Sequence, residues 1–535
     1  MFTPAGPRDG DPFLHGARFA WLLAALAGTV ALLVAFVGTR AWLAGTNDPD
    51  SMSSVLYFQR LISGQRLEVT VLTTPKPLHT LVYGVSWVLF HDWRTIVWET
   101  IAMHAAGVAL ATRLAIRLAG VPAGVFIATA LILSSSELAE VSQANSLPWA
   151  LTGWLVAALA LTSNPRRFGI AGLALFLAGT TRIETWLILA AATAAIVALG
   201  SPWVRSRAPA SWPTARSSLP LLIGWLAVPV QLLHDLLLTG NPLYWAGVPS
   251  AYTLLVTPHL APVPPLHFAQ TLAERYGAMP WLVLLAALGV IYLARQRRWV
   301  ILVGLGGLVA GSLVLIGSLA VRAVFISDRY YEEPTLGIVF AAAIGFGGVV
   351  VGLIAIARRY GAGPVLLTAI WTVASVAAAG GAAAATGERG PVTTTLAARI
   401  MSLQGASSNL ESAVPQLRRL VAAGGATPPA LPVGKGVTVV DPTTATLYVP
   451  RSFQRRVAIE LGVPLTRFAD SSILWTVRPA SILRPGQLVY HDPLADGRTG
   501  PYRLLEVSRP TAVGSLRLVP IAHPPGRYWL ILVER

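Results

Sequence analysis

Apolar runs recur so regularly along the first 386 residues that they leave few folds open to this chain. About eleven of them fall near 18–43, 95–113, 120–134, 146–162, 168–180, 183–200, 218–238, 280–294, 299–320, 334–357 and 363–386. Most approach the roughly 20 residues that cross a bilayer as a helix. Inside lipid the backbone must satisfy itself, so only helices or closed barrels span, and continuous runs without strict alternation are helices. Only 12% of the residues are charged, about half the roughly 25% of a soluble domain. The fold class expected is an α-helical polytopic membrane protein. Cysteine is absent, which excludes disulfides, thiolate metal sites and cysteine nucleophiles. A net charge of +16 would suggest nucleic acid in a soluble protein. Here the arginines sit in short loops between apolar runs, the pattern of cytoplasmic loops, and no nucleic-acid partner is expected. The N-terminus opens with Pro4, Gly6, Pro7 and Arg8, and the first apolar run is too long for a cleavable signal.

Orientation follows from the same arginines. Arg113 and Arg117, Arg166 and Arg167, Arg205, Arg207 and Arg216, Arg295, Arg297 and Arg298, and Arg358 and Arg359 are assigned to the cytoplasm with the N-terminus. The carboxylates Asp48, Asp50, Glu137, Glu140, Glu184, Asp328, Glu332 and Glu333 then fall in the opposite loops. This requires the apolar stretch 78–90, short for a crossing, to lie on the outer membrane surface. Residues 44–94 become one extracytoplasmic loop. Within it Met52, Val55, Leu56, Leu61 and Ile62 recur at helical spacing, predicting an amphipathic helix from near Asp50 to Gly64. The run 68–74 reads as extended, and Pro75 and Pro77 bracket Lys76.

Residues 1–387 are thus the transmembrane domain, and 388–535 a soluble extracytoplasmic domain of mixed α/β or β-rich type. Strands are expected near 437–440, 445–449, 473–477, 487–490, 502–507, 515–520 and 528–533, and helices near 393–423 and 451–462. The expected location is the plasma or inner membrane, multi-pass.

Charges inside or beside spans are costly, so each is a candidate for chemistry. The outer rim collects Asp48 and Asp50, Lys76 and His79, Arg182 and Glu184, and Asp328, Arg329, Tyr330 and Tyr331. A carboxylate with nearby lysine and arginine suits transfer from a phosphate-bearing donor. The base takes an acceptor hydroxyl proton, and the cations offset charge on the leaving phosphate. Structural alternatives run beside these roles. Asp50 is also a helix N-cap, Lys76 a snorkelling surface lysine and Arg182–Glu184 a private ion pair. Arg329 is also a structural partner of Glu332 or Glu333. His104, inside the second span, reads as an interhelical hydrogen-bonding residue. His234 and Asp235, near the end of the seventh, rank lower as cavity-facing groups. Asp48 and Asp50 are the ligands of a divalent cation if one is bound.

The order Asp48-Pro49-Asp50-Ser51, then Tyr57-Phe58-Gln59-Arg60-Leu61-Ile62-Ser63-Gly64, resembles the first loop of the GT-C superfamily of polyprenyl-phosphate-sugar-dependent glycosyltransferases. That superfamily includes the protein mannosyltransferase, aminoarabinose transferase and arabinofuranosyltransferase families. Thr74-Pro75-Lys76-Pro77-Leu78 is similar to its Lys-Pro-Pro-Leu element, with one proline displaced. Thr180-Thr181-Arg182-Ile183-Glu184 falls where members have a short outer turn with a basic residue. Gly240-Asn241-Pro242-Leu243-Tyr244 and Arg329-Tyr330 are similar to its later elements. The resemblance covers roughly residues 15–390, and Pro49 separates two acids that are adjacent in many members.

The resemblance implies an inverting glycosyltransferase that moves a sugar from a polyprenyl-phosphate donor to a cell-envelope glycan, lipid or protein acceptor. Asp50, or Asp48, would be the base. Lys76, Arg182, Arg329 and Tyr330 would contact the donor phosphate, and His79, Glu184 and Tyr244 the substrates. The alternative is a transporter or flippase of lipid-linked sugars. No internal repeat is visible, and the charges gather at one rim rather than at mid-membrane, which disfavours it.

Overall fold

The computed structural model describes residues 17–39, 49–67, 71, 73–207, 213–249, 270, 272–274, 276–277, 279–321, 328–359, 371, 373–376, 380, 406, 408–421, 430–432, 438–440, 445–470, 483–492, 509–522 and 528–535. The helices are α1 (Ala17–Gly38), α2 (Pro49–Ile62), α3 (Pro77–Phe90), α4 (Trp93–Ala119), α5 (Val121–Leu133), α6 (Ser135–Ser142), α7 (Leu147–Thr162) and α8 (Phe168–Gly179). They continue with α9 (Thr185–Gly200), α10 (Pro202–Arg207), α11 (Ala215–Ser218), α12 (Ala227–Thr239), α13 (Pro280–Arg295), α14 (Trp299–Val321) and α15 (Glu332–Arg359). A 3-10 segment, Leu219–Leu226, joins α11 to α12.

Two-faced packing makes these helices membrane elements. On α1 the small residues Ala20, Ala24, Ala31 and Ala35 are buried. Leu22, Leu26, Leu33 and Val37, on the other face, are 55–69% exposed. Such a stripe is a liability in water and is solvated by acyl chains in a bilayer. The small face lets α1 approach α4 closely, with Gly28 against the backbone of Ala105. Among the described residues, five units are long and apolar enough to cross: α1, α4, the stretch Ala215–Thr239, α14 and the first 26 residues of α15. Helices α5 and α6, bent by 55° at their junction, form a sixth if they act as one. The chain is a multi-pass membrane protein.

Ten of the eleven expected runs coincide with helices, and 363–386 lies largely outside the described residues. Five of the ten, namely α5, α7, α8, α9 and α13, have only 12–16 residues. Gly120, the 163–167 loop and the 180–184 turn cut the apolar runs short. The stretch 78–90 is helix α3, with His79, Tyr83, Gly84 and Trp87 inward. Leu81, Val88, Leu89 and Phe90 are exposed, the one-sided pattern of an interfacial helix.

Helices α13 and α15 touch through glycine. A Cβ on Gly289 would stand 1.9 Å from the Ala341 carbonyl oxygen, and one on Gly345 2.0 Å from that of Leu285. Gly289→Leu is expected to part the helices and cost about 1–3 kcal/mol, the scale of overpacking. Thermal melting of purified protein in detergent measures this, with Gly352→Ala, where a Cβ meets nothing within 4 Å, as the unaffected control.

Beyond the helical region lie a β-hairpin-like pair and a larger sheet. Strands β1 (Ala430–Pro432) and β2 (Thr438–Val440) pair antiparallel. The six-stranded sheet is built from β3 (Leu447–Val449), β4 (Phe468–Asp470), β5 (Leu488–His491), β6 (Thr511–Val513), β7 (Leu516–Ala522) and β8 (Trp529–Glu534). Its order is β4-β3-β5-β8-β7-β6. The first three run parallel, and the rest pair antiparallel. Parallel neighbours need a crossover, and α16 (Arg451–Leu461) supplies the one from β3 to β4. Strands expected near 473–477 and 502–507 lie outside the described residues. Strands β1, β4 and β6 fall outside the expected positions; like β2 and β3 they have three residues each, too few to show alternation in sequence. Leu410, Leu417, Phe453 and Val457 share one core with Met52, Val55, Tyr57 and Trp93. Trp93 also donates to Glu460 at 3.0 Å, with the Arg456 guanidinium 5.6 Å from its ring. The C-terminal region is thus seated on α2 and the start of α4.

Candidate active site

The site begins with how α2 starts. The helix opens at Pro49, so Asp50 stands in its first turn rather than capping it, where the helix dipole favours an anion. One carboxylate oxygen accepts from the Thr73 hydroxyl at 3.3 Å, and the other pairs with the Lys76 ammonium at 3.3 Å. Lys76 precedes Pro77 and is held extended (φ −129°, ψ 98°), with the proline at the head of α3. The Pro75 carbonyl accepts from Gln231 at 3.1 Å. One residue past Pro77, the Leu78 amide donates to the Thr180 carbonyl at 3.4 Å. That bond ties the lysine loop to the turn between α8 and α9.

The turn carries Arg182 and Glu184. Arg182 Nε lies 3.6 Å from Glu184 Oε2, and its Nη2 pairs with Glu333 at the start of α15. His79, fully inside, faces the same groups. Burial first, then the charges of Lys76 and Arg182, hold its imidazole well below the usual histidine range. It is therefore a neutral ring at neutral pH, edge-on to Tyr83 and Trp149 at 4.8 and 5.5 Å. The structure brings Asp50, Lys76, His79, Arg182 and Glu184 together, as the rim reading grouped them.

Sequence reading placed Glu137 and Glu140 in a loop. They sit on the short helix α6 and are buried, at 2% and 3% exposure. Glu140 acts electrostatically on both Glu332 and Glu333, and Glu137 on Glu332. Arg182 is thus the cation of a buried acidic group. His104 lies 3.7 Å from Glu137, in ion-pair range rather than bonded between helices. The signal was present in sequence as Glu137 and Glu140 spaced three apart and as the Glu332-Glu333 pair at the head of α15. Only the fold shows that the two meet.

Ser51 and Tyr57 stand in the first-loop motif, but their contacts, and those of Tyr83 and Ala144, carried no sequence signal. The Ser51 hydroxyl donates to the carbonyls of Gln143 and Ala144 at 2.7 and 3.0 Å, and Tyr83 donates to that of Ala144 at 2.9 Å. Ala144 has φ 52°, a left-handed conformation uncommon outside glycine, and these bonds hold it there. Tyr57 donates to the Thr73 carbonyl at 2.7 Å. Its burial foremost raises its phenol well above the ordinary value, and the Arg455 charge, delivered by α16, opposes the rise.

The Gly-Asn-Pro-Leu-Tyr element has a local logic. Gly240 ends α12 at φ 79°, donating to the Leu236 carbonyl. The Asn241 side chain accepts from the Leu243 amide at 3.0 Å, an Asx turn around Pro242. Tyr244 then donates to the Val71 carbonyl at 2.6 Å. Burial raises the Tyr244 phenol too. His234 meets Thr80 at 3.1 Å, and Asp235 accepts from Gln231 and the Trp245 amide at 2.8 and 2.7 Å. Both brace the loop behind Lys76.

Asp48 lies outside the described residues, as do the side chains of Asp328 and Arg329. The backbone of Asp328–Tyr331 forms a 3-10 turn before α15, and Tyr330 is half-buried there. Among the described residues no group of three or more His, Asp or Glu is placed to hold a metal. At Asp50 the Lys76 ammonium stands where a cation would bind Oδ2.

No family model matches the sequence, and no curated protein does. Three solved structures are similar over most of the chain. ArnT from Cupriavidus metallidurans in the apo state is 15% identical, with 96% of this chain and 98% of that chain covered and a TM-score of 0.48. The same protein bound to undecaprenyl phosphate is 15% identical, with 95% and 97% covered and a TM-score of 0.47. The apo oligosaccharyltransferase of Archaeoglobus fulgidus is 13% identical, with 89% and 69% covered and a TM-score of 0.46.

Proposed function

We propose that this protein is an inverting glycosyltransferase that takes a sugar from a polyprenyl-phosphate donor. The observation that carries the reading is the Asp50–Lys76 pair, hydrogen-bonded by Thr73 and tied through Leu78 to the Arg182 turn. The first-loop motifs supply the donor class. The acceptor hydroxyl gives its proton to Asp50 while its oxygen attacks the anomeric carbon from the face opposite the phosphate. The sugar–phosphate C–O bond breaks, and polyprenyl phosphate leaves with the electron pair. Lys76 couples the two events. As the donor phosphate draws its ammonium away, Asp50 loses a counter-ion and becomes the stronger base, and the ammonium offsets charge on the leaving group. Arg182, Arg329 and Tyr330 belong to the donor side, and His79, Glu184 and Tyr244 to substrate positioning. A glycan, lipid or protein of the cell envelope is the acceptor, and residues 388–535 cover the site from the extracytoplasmic side.

Two experiments test this. The first is transfer by purified protein with a panel of polyprenyl-phosphate sugars and a cell-envelope acceptor extract. Lys76→Ala is expected to weaken donor binding about tenfold, the scale of one charge-assisted phosphate contact, with melting near the parent's. Transfer from no donor in the panel sinks the reading. The second concerns sidedness. In this cysteine-free chain, Ser63→Cys and Ser515→Cys are expected to react with an impermeant maleimide on intact cells, and Ser206→Cys only after lysis. All three serines are exposed. Opposite behaviour of the first two would place α3 across the membrane.

A further inference from the structure

At the opposite end of the bundle from Asp50 a cavity of about 1310 Å³ opens between α4, α7, α9 and α14. Its mouth carries four arginines. Arg117 ends α4, Arg166 lies in the α7–α8 loop, and Arg297 and Arg298 form the α13–α14 turn. Arg117 is braced on the Thr162 carbonyl, and Arg166, Arg297 and Arg298 are exposed. Deeper walls are apolar, among them Trp154, Leu155, Ile188, Leu308 and Phe340. Along α9 the lining runs from Ile188 to Leu199, a depth of about 17 Å at 1.5 Å per residue. Asp50, Lys76 and Arg182 take no part in it.

We propose that this cavity binds an anionic phospholipid, with its phosphodiester among the four guanidiniums and one acyl chain in the apolar shaft. Guanidinium forks match phosphate oxygens, and basic pockets between membrane helices are made for lipid head groups. The volume exceeds the roughly 300–1,000 Å³ of ordinary small-ligand sites. A soluble phosphate would fill only the mouth and leave the apolar shaft behind it unused. A peptide would find helical walls whose backbone groups are already bonded to one another. The proposal does not rest on the transferase reading, because the cavity and the Asp50 site share none of the residues on which the two readings stand.

The test is native mass spectrometry of the purified full-length protein titrated with dioleoylphosphatidylglycerol or dioleoylphosphatidylcholine. Phosphatidylglycerol is expected to bind about tenfold more tightly. Arg166→Gln/Arg298→Gln should abolish that preference. Arg205→Gln/Arg216→Gln, which removes equal charge from exposed arginines that do not line the cavity, should keep it. Gly304→Phe should lower phosphatidylglycerol occupancy, since Gly304 lines the cavity and a Cβ there meets nothing within 4 Å. Equal affinity for the two lipids, or equal loss in both double variants, overturns the proposal. So does displacement of the lipid by millimolar inorganic phosphate, which would make the site one for a soluble anion. The paired surface variants decide the matter even if Gly304→Phe does not fold.

Discussion

Asp50→Asn is expected to lower sugar transfer by about a hundredfold or more, the scale of losing a general base. The substitution is nearly isosteric. Its amide oxygen still accepts from the Thr73 hydroxyl that now bonds Oδ1 at 3.3 Å, and it keeps its place in the first turn of α2. What it loses is the charge opposite Lys76 and the ability to take a proton. Side-chain exposures of 23% for Asp50 and 15% for Lys76 leave partial solvation, so the stability cost should stay within about 1–3 kcal/mol. Asp50→Glu, which restores the carboxylate on a longer arm, should recover part of the rate. Turnover is to be measured with donor and acceptor saturating, beside thermal melting of each variant. Parent-level turnover by Asp50→Asn removes Asp50 from the mechanism and takes the transferase reading with it.

The residues that sequence reading found share a physical reason for being visible. In a chain with 12% charged residues, a charge beside an apolar run stands out, and Asp50, Lys76, Arg182 and Glu184 are all of that kind. Lys76 was further marked by its prolines, which dictate an extended backbone whatever the fold. The helix 49–62 was legible because its apolar positions repeat at helical spacing, and Gly64, at φ 65°, ends it as a glycine should. The rest depends on contacts between segments far apart in sequence. Ser51 meets Gln143 and Ala144, Tyr244 meets Val71, and Arg455 reaches Tyr57 from another region altogether. Nothing local encodes these pairings. Glu137 and Glu140 were misplaced because an eight-residue helix after a bend leaves no long periodicity to read.

Arg182→Ala is expected to be far more damaging to the fold than Lys76→Ala. On sequence alone both are rim cations, with Arg182 also readable as a private partner of Glu184. The structure separates them. Lys76 meets one partly solvated carboxylate. Arg182 lies between Glu184 and Glu333, which are 6% and 1% exposed. Glu140 acts electrostatically on Glu333 as well. Removing the guanidinium leaves buried carboxylates facing one another without their cation, and breaking a buried pair in this way costs about 3–5 kcal/mol. Arg182→Lys keeps the charge but loses the planar fork that reaches both acids, so an intermediate loss is expected. The double variant Arg182→Ala/Glu333→Gln should recover part of the stability, because the neutral amide no longer needs a counter-ion. Residues in one network are not additive, and that recovery is the signature of a shared charge cluster. Melting of the four proteins in detergent measures it. If Arg182→Ala melts with the parent, the arginine is not what holds Glu184 and Glu333 in place. If the double variant regains stability but still fails to bind a polyprenyl-phosphate sugar, Arg182 acts on the donor as well as on its two acids.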